Sequence, residues 1–291
     1  MERPPYLFWL LFPTYDPKGA PLPESSVELR NVTYAIPGPP SAGTRTLLRD
    51  ISLTLEPGTT TALLGRSGSG KTTLMSMVNA MAMPTTGTVL VDGRPTSDWK
   101  LLDLRRGIGY VIQETGLFPH WTVARNAGLA LELDGTPKGQ LTARVTEVLA
   151  LAGLDPALRT RLPWQLSGGQ RQRVGLARAL AADPAILLMD EPFGALDPIT
   201  RAEMQSMLKD LLARVATDNT HDTDHTLTRK TVLLVTHDLD EALFLAARIV
   251  FLEAGEIVAD LPAREVPTSQ NTHVKQYIAA IRRQSVASDP A

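Results

Sequence analysis

The residues best suited to chemistry lie in the segment GRSGSGKT, Gly65 to Thr72, which fits the pattern G-x-x-x-x-G-K-[ST]. The apolar, β-branched run TTTALLG precedes it and predicts a buried strand, and the helical pattern KTTLMSMVNAM follows. Glycines let successive backbone N–H groups curl around a phosphate, and a helix start adds positive potential. The segment therefore predicts a nucleoside-triphosphate site in which Lys71 contacts the β- and γ-phosphates and Thr72 binds Mg²⁺. The alternative is a glycine-rich turn without a ligand.

Two adjacent carboxylates, Asp190 and Glu191, follow the apolar run AILLM. An aspartate at the end of a parallel strand lies at the carboxyl edge of the sheet, where ligands bind in such folds. We therefore predict that Asp190 holds Mg²⁺ through water. Glu191 points in another direction and is a candidate general base for the attacking water. Without a phosphate loop in the same chain, the pair would more often be surface charge.

A second phosphate cradle is predicted in LSGGQRQRVGLARAL, where Ser167, Gly168 and Gly169 open a helical pattern. The N-terminal amides of a helix bind phosphate readily. Since the first loop already serves the triphosphate, a second cradle has no use within one chain. The segment predicts a head-to-tail dimer, in which the Ser167 loop of each chain covers the nucleotide of the other. A serine N-cap followed by flexible glycines is the alternative.

These segments need an α/β framework to position them. SVELRNVTYAI alternates apolar and polar residues as a half-buried strand does, and TLLRDISLTLEPG predicts another strand. PAILLMD and TVLLVTH are continuous apolar runs typical of central parallel strands. Repeated strand, loop and helix predicts an α/β fold, a P-loop NTPase (RecA-like) mixed-sheet core with an inserted helical subdomain at about 115–165. Residues 1–25 are expected to form an irregular arm, 26–265 the nucleotide-binding domain, and 266–291 a C-terminal helix and frayed tail.

Composition excludes several classes of function. The 291 residues carry a formal net charge of −2, which gives no general footprint for nucleic acid. The chain has no cysteine, so disulfides and thiolate metal sites are excluded. The longest apolar run, Tyr6 to Phe12, is far shorter than the roughly 20 residues of a membrane-spanning helix. This run is interpreted as part of a packed arm or of an upstream extension, with a membrane or permease contact as the alternative.

The motifs together resemble those of one family. GRSGSGKTT, Gln113, LSGGQ, LLMDEP, GALD and VTHD occur in this order, and over roughly residues 26–265 the chain resembles the ATP-binding subunits of ABC transporters. The resemblance implies ATP and Mg²⁺ as ligands. It also implies that Gln113 contacts Mg²⁺ and the attacking water, that His237 contacts the γ-phosphate and orients Glu191, and that Asp197 lies on the dimer seam. Tyr34 would stack on adenine; its alternative is a half-buried strand tyrosine.

The resemblance assigns a complete set of site residues. Those predicted to be catalytic are Glu191, His237, Gln113 and Lys71. Those predicted to bind nucleotide within one chain are Tyr34, Gly65, Arg66, Ser67, Gly68, Ser69, Gly70, Lys71, Thr72, Thr73, Gln113, Asp190 and His237. Those predicted to bind it from the partner chain are Ser167, Gly168, Gly169, Gln170 and Asp197. Those predicted to hold the metal are Thr72, Gln113 and, through water, Asp190.

The type of transporter is inferred from QETGLFPHWTVARNA and DEPFGALDPITRAEMQ, which are most similar to segments of quaternary-amine importers for glycine betaine, proline, carnitine and choline. Nitrate, sulfonate and taurine importers have similar DEPFGALD segments and stay as alternatives, as do exporters and, last, ABC ATPases of DNA repair or translation. The resemblance implies a peripheral subunit at the cytoplasmic face of the membrane, which serves a permease and, indirectly, an extracytoplasmic solute-binding protein. Many osmoprotectant subunits continue into paired CBS modules, and the sequence stops at Ala291. If the chain belongs to that group, we expect no ionic-strength sensing through such a tail.

The loop after Gln113 is unusually apolar. GLFPHWTV carries Phe118 and Trp121 where a surface loop is expected. The resemblance implies that Gln113 to Val123 receives a coupling helix of the permease, which would cover these aromatic rings. The alternative is that the two rings pack the loop onto its own helices.

Overall fold

The computed structural model describes residues 25–38, 43–217 and 229–287. The predicted N-terminal arm, apart from residue 25, and the last four residues of the predicted tail lie outside the described residues. The strands are β1 (Val27–Pro37), β2 (Thr44–Leu55), β3 (Thr60–Leu64), β4 (Thr86–Val91), β5 (Arg94–Pro95), β6 (Ile108–Val111), β7 (Ile186–Asp190), β8 (Thr231–Thr236), β9 (Arg248–Glu253) and β10 (Glu256–Pro262). The helices are α1 (Lys71–Val78), α2 (Leu101–Arg106), α3 (Val123–Ala127), α4 (Leu129–Leu133), α5 (Lys138–Leu151), α6 (Gly168–Leu180), α7 (Pro198–Thr217), α8 (Leu239–Leu245) and α9 (Thr272–Ala287).

The larger sheet has the order β10-β9-β3-β8-β7-β6. Its strands are parallel, except that β10 pairs antiparallel with β9. Strands β7 and β8 are buried at every position, which explains why their sequences are continuously apolar rather than alternating. The carboxyl ends of β3, β6, β7 and β8 meet at one edge of this sheet. The predicted mixed-sheet α/β class is confirmed.

The smaller sheet is antiparallel, with the order β2-β1-β4-β5. The alternation predicted for SVELRNVTYAI is that of β1, which pairs with β2 on one side and β4 on the other. Tyr34 of β1 lies opposite Leu48 of β2 in this register. The pairing brings both residues near the start of α1, because the Leu48 side chain lies beside Gly70.

The core is divided by the larger sheet. Along β7, Leu187 and Met189 face the helices α3, α5, α6 and α7, whereas Ile186 and Leu188 face α1 and the smaller sheet. This alternation follows from the period of two along a strand. A third apolar cluster packs α8 and α9 against β3 and β9. Each face of the sheet is thus covered, and its carboxyl edge is left for polar side chains.

Two predicted helical segments are shorter or tighter than expected. The pattern KTTLMSMVNAM predicted a helix to about residue 81, but α1 ends at Val78 and Ala80 takes a left-handed conformation with φ 52°. The segment DPALRTRLPWQL, whose apolar spacing also predicts helix within the inserted helical subdomain, forms two 3-10 turns, Pro156–Thr160 and Pro163–Gln165. A proline fixes its own φ and lacks an N–H, so it starts a turn and cannot continue a helix. The C-terminal amphipathic pattern does form a helix, α9.

In the part of the chain that the structure describes, none of the helices combines the length and the apolar character needed to span a membrane.

Candidate functional site

The phosphate loop Gly65–Thr72 connects β3 to α1 and has a conformation that requires glycine. Gly70, the N-cap of α1, has φ 103°, a left-handed value that side chains strongly disfavour. A Cβ on Gly65 would lie 2.2 Å from the carbonyl oxygen of Leu252. The loop therefore passes so close to β9 that no side chain fits at Gly65.

Lys71 lies under this loop and is almost completely buried, with 5% of its surface exposed. Its Nζ donates to the carbonyl oxygens of Gly65, at 2.9 Å, and of Arg66, at 3.0 Å. The pKa of the ammonium group is lowered overall because burial outweighs the opposing effect of the nearby Glu191 and Asp190 carboxylates. A cation held inside a ring of backbone is suited to an anionic ligand such as phosphate.

The other predicted residues of the loop divide between surface and interior. Arg66, Ser67 and Gly68 are exposed, whereas Ser69 is buried. Among the described residues the hydroxyl of Ser69 has no hydrogen-bond partner. A buried, unpaired hydroxyl is costly unless a ligand or water completes it, so the loop fits a polar ligand. Thr73 is half-buried in the first turn of α1.

Asp190 and Thr72 form an oxygen pair beside Lys71. The Thr72 hydroxyl donates to Oδ1 of Asp190 over 3.1 Å. The pKa of Asp190 is raised overall, mainly by burial and further by the Glu191 carboxylate. The hydrogen bond from Thr72 and the charge of Lys71 oppose this increase. A hydroxyl and a carboxylate at this spacing are the kind of hard oxygen ligands that Mg²⁺ prefers.

Glu191 lies at the centre of the group. Its backbone has φ 43°, a left-handed value uncommon outside glycine, and its N–H donates to the carbonyl oxygen of Val235 in β8 over 2.9 Å. Oε2 of Glu191 lies 3.5 Å from Nε2 of Gln113 and 3.3 Å from Nδ1 of His237. Gln113, Glu191 and His237 follow β6, β7 and β8, so three neighbouring strand ends bring them together.

The predicted partner-chain residues form a separate group. The Ser167 hydroxyl accepts from the N–H of Gln170 over 3.2 Å, and Oε1 of Gln170 accepts from the N–H of Ser167 over 2.9 Å, which is a capping box at the start of α6. A Cβ on Gly169 would meet Thr200 of α7 at 2.5 Å, so this loop packs on the start of α7. In the described ranges no hydrogen bond joins Ser167 to the phosphate loop.

Asp197 belongs to this second group. Its Oδ1 accepts from the N–H of Thr200 over 3.0 Å at the start of α7. Hydrogen bonds from Thr200, first from its side chain and then from its backbone, lower the pKa of Asp197. Gly168 lies near Leu196, which precedes Asp197, so the Ser167 loop and Asp197 share one surface.

The aromatic loop after Gln113 is partly self-packed. Phe118 and Trp121 stack with ring centroids 4.2 Å apart, and the guanidinium of Arg125 lies 4.1 Å from the Trp121 centroid. Phe118 is 38% exposed, but Trp121 is half-buried. Trp121 is therefore less exposed than a surface ring, because Phe118 stacks on it and the Arg125 guanidinium lies over it.

Three residues that support this site were not predicted. The buried Asn126 accepts from the N–H of Phe118 and donates to the carbonyl oxygens of Phe118, Trp121 and Thr122. It joins both ends of the aromatic loop, a role that no local motif indicates.

The second of these residues is Arg178, in the last turns of α6. Its guanidinium donates to the carbonyl oxygens of Gly116, over 2.8 Å, and Thr115, over 2.6 Å. Thr115 and Gly116 both have positive φ. Burial lowers the pKa of Arg178.

The third is Tyr277 of α9, whose hydroxyl donates to the carbonyl oxygen of His237 over 2.9 Å. Both contacts join residues at least 40 positions apart, which a local pattern cannot indicate.

Comparison with known proteins places this geometry in a family. Residues 48–194 match the family model described as ABC transporter. The glycine betaine uptake system ATP-binding protein YehX of Escherichia coli K12 is 42% identical over 236 residues, which cover 81% of this chain and 72% of that protein. The taurine import ATP-binding protein TauB of Pseudomonas putida is 40% identical over 265 residues, 91% of this chain and 90% of TauB. The chain spans 53% and 60% of the length of two further relatives from Bacillus subtilis.

A solved structure gives the same result. The dimeric ATP-binding cassette MJ0796, in a post-hydrolysis state bound to ADP and Pi, superposes with a TM-score of 0.70 at 32% identity. The match covers 82% of this chain and 99% of that one. The chain belongs to the ABC transporter family, among its ATP-binding proteins.

Proposed function

We propose that this protein binds and hydrolyses ATP to energise an ABC importer. The observation that carries the proposal is the position of Glu191, whose carboxylate lies between Gln113 and His237 and beside the Thr72–Asp190 pair. The phosphate loop and Lys71 would bind the triphosphate, and Tyr34, half-buried opposite Leu48, would stack on the adenine. Thr72, Gln113 and Asp190 would hold Mg²⁺, Asp190 through water, and the ion would neutralise charge on the phosphates.

Glu191 is the proposed general base. A base must be within hydrogen-bond reach of the water it activates, and its carboxylate must be aimed at the site rather than paired away from it. The left-handed backbone of Glu191 turns its side chain away from the course of β7, towards His237. The imidazole of His237 and the amide of Gln113 then limit the directions in which the carboxylate can swing.

The variant Glu191→Gln tests this role. It keeps the size of the side chain but removes the basic carboxylate, so we expect kcat for ATP to fall about 10²- to 10⁴-fold while ATP still binds. The matched control is Glu256→Gln, which removes an exposed carboxylate at the start of β10 and should leave kcat unchanged. Steady-state phosphate release and calorimetric ATP binding give the two readouts. Full hydrolysis by Glu191→Gln would contradict the assignment.

We further propose that two copies close head to tail on two ATP molecules. In each copy Ser167, Gly168, Gly169, Gln170 and Asp197 would contact the nucleotide of the other copy. Support comes from the shared surface that these residues form near Thr200, where none of them has a hydrogen bond to the phosphate loop in the described ranges. Glu191→Gln with ATP should sediment as a dimer, whereas the same variant carrying Ser167→Arg should remain a monomer because the bulky cation displaces the loop.

The loop Gln113–Val123 is the proposed contact with the permease, at the cytoplasmic face of the membrane. Its exposed Phe118, Pro119 and His120 stand on a framework that Asn126 holds from inside. A preorganised apolar loop is suited to receive a helix, because little conformational entropy is lost on docking. An extracytoplasmic binding protein would act through the permease and would not contact this subunit.

For the solute we propose a quaternary amine such as glycine betaine or choline, supported by the similarity to YehX and by the segments GLFPH and LDPITR. Taurine is the second candidate, since TauB matches a larger share of the chain. Reconstitution with the cognate permease and binding protein, followed by uptake of labelled betaine, choline and taurine, separates the two. Uptake of taurine alone would refute the quaternary-amine proposal, and ATP-driven efflux from loaded vesicles would refute import.

A further inference from the structure

The segment that carries His237 is a short linker between β8 and α8. Thr236 ends β8, and its hydroxyl accepts from the N–H of Asp238 over 3.0 Å. The Asp238 side chain in turn caps α8 by accepting from the N–H groups of Asp240 and Glu241. These contacts hold the two ends of the linker, and the imidazole of His237 between them is largely exposed, with 60% of its side chain accessible.

The carbonyl of His237 itself is held from another element. The Tyr277 hydroxyl, on α9, donates to it over 2.9 Å. The Tyr277 ring is fixed by an edge-to-face contact with Phe251 of β9, with centroids 5.7 Å apart. Tyrosine is protonated at neutral pH even at its ordinary pKa of about 10, and burial raises the pKa of Tyr277 further, to about 12.

Helix α9 is itself firmly attached to the sheet. Nδ1 of His273 lies 2.8 Å from Oε2 of Glu253 at the end of β9, and Asn271 donates to the carbonyl oxygen of Val258 in β10. A cleft of about 230 Å³ separates the first part of α9 from the phosphate loop, and Tyr277 lines it together with Arg66. Helix α9 lies outside the residues that match the family model.

We propose that Tyr277 is a positioning residue for hydrolysis, which holds the backbone of His237 so that the imidazole stays against Glu191 and which makes turnover depend on the docking of α9. This inference rests on the proposed function, because it assumes that Glu191 and His237 serve hydrolysis. Tyr277 does not touch the reacting atoms in this arrangement. It acts through His237 alone.

The variant Tyr277→Phe tests the proposal in the full chain. It removes one hydroxyl and keeps the ring on Phe251. We expect kcat to fall about five-fold, the effect of one lost hydrogen bond, while KM for ATP is unchanged because the phosphate loop is intact. The control is Lys275→Ala, which shortens an exposed side chain on the same helix, one that does not line the cleft, and should keep the wild-type kcat.

A second readout follows His237 directly. In a ¹³C-resolved imidazole NMR spectrum, assigned with His237→Gln, Tyr277→Phe should move the His237 resonance and Lys275→Ala should not. Wild-type kcat in Tyr277→Phe, an unmoved His237 resonance, or a loss confined to KM would each overturn the inference. If Glu191→Gln hydrolyses ATP normally, the proposed function fails; if only Tyr277→Phe behaves as wild type, this inference alone fails.

Discussion

Glu241, in the first turn of α8, provides a quantitative test of the electrostatics around the site. Its side chain is 5% exposed, and burial together with the nearby Asp238 carboxylate raises its pKa from the ordinary 4.5 to about 7. Hydrogen bonds from Thr236 and Gln205, and the charge of Arg201, oppose this increase. The folded state thus binds the proton more tightly than the unfolded chain, so stability is fully present below about pH 4.5 and is lost as pH rises through about 7.

The magnitude follows from the two pKa values. Ionised Glu241 costs the folded state about 3 kcal/mol, since each pKa unit corresponds to about 1.4 kcal/mol. Glu241→Gln removes this pH dependence. We compare the free energy of unfolding of the variant with that of wild type at each pH. The difference, variant minus wild type, should be about 2.5 kcal/mol larger at pH 8 than at pH 5, because ionised Glu241 destabilises only the wild type. Any loss due to the changed hydrogen bonds is the same at both pH values and cancels in this comparison.

Urea unfolding followed by circular dichroism at the two pH values is the assay, and the matched control is Glu203→Gln, an exposed carboxylate on α7. The control should show the same difference from wild type at both pH values. If Glu241→Gln also shows the same difference at pH 5 and pH 8, the carboxylate is not kept neutral by the fold, and the reasoning from burial fails.

Three further results are expected. Lys71→Ala should weaken ATP binding by calorimetry roughly 10- to 100-fold, because a charge-assisted contact is lost; equal affinity would refute the phosphate-loop assignment. Phe118→Ala with Trp121→Ala should leave the ATPase rate of the isolated subunit nearly intact but abolish uptake in the reconstituted transporter; unchanged permease binding would contradict the docking proposal. Asn126→Ala should lower the free energy of unfolding by about 2 kcal/mol or more, since a buried N–H and several carbonyls lose their partner, and thermal unfolding measures it.

Much of the fold was predictable because each element carries a local signal. The buried strands β7 and β8 are continuously apolar, and the phosphate loop has glycine where the backbone needs it. The strand ends that bring Gln113, Glu191 and His237 together follow from the parallel sheet once its members are known. Which strand neighbours which is a long-range property, and so the order β3-β8-β7-β6 was beyond a pattern analysis.

The contacts that Tyr277 and Arg178 make beside the site were not predictable, because they also join residues far apart in the sequence. Tyr277 contacts His237 across 40 positions, and Arg178 contacts Gly116 across 62. Tyr277 occupies a position in an ordinary amphipathic helix, and its hydrogen bond depends on how α9 docks. The partial burial of Trp121 also depends on such detail, because the guanidinium of Arg125, from the following helix α3, lies over the ring.

The two hydrogen bonds from the Arg178 guanidinium to the carbonyl oxygens of Thr115 and Gly116 connect helix α6 to the turn after Gln113. Two hydrogen bonds to consecutive carbonyls restrain twisting as well as sliding, so they fix the turn at Thr115–Gly116 to the last turns of α6. Ser167 caps one end of this helix, and Arg178 lies about 16 Å away along its axis. A displacement of the Ser167 end of α6 would therefore be transmitted to the turn after Gln113 through these two hydrogen bonds.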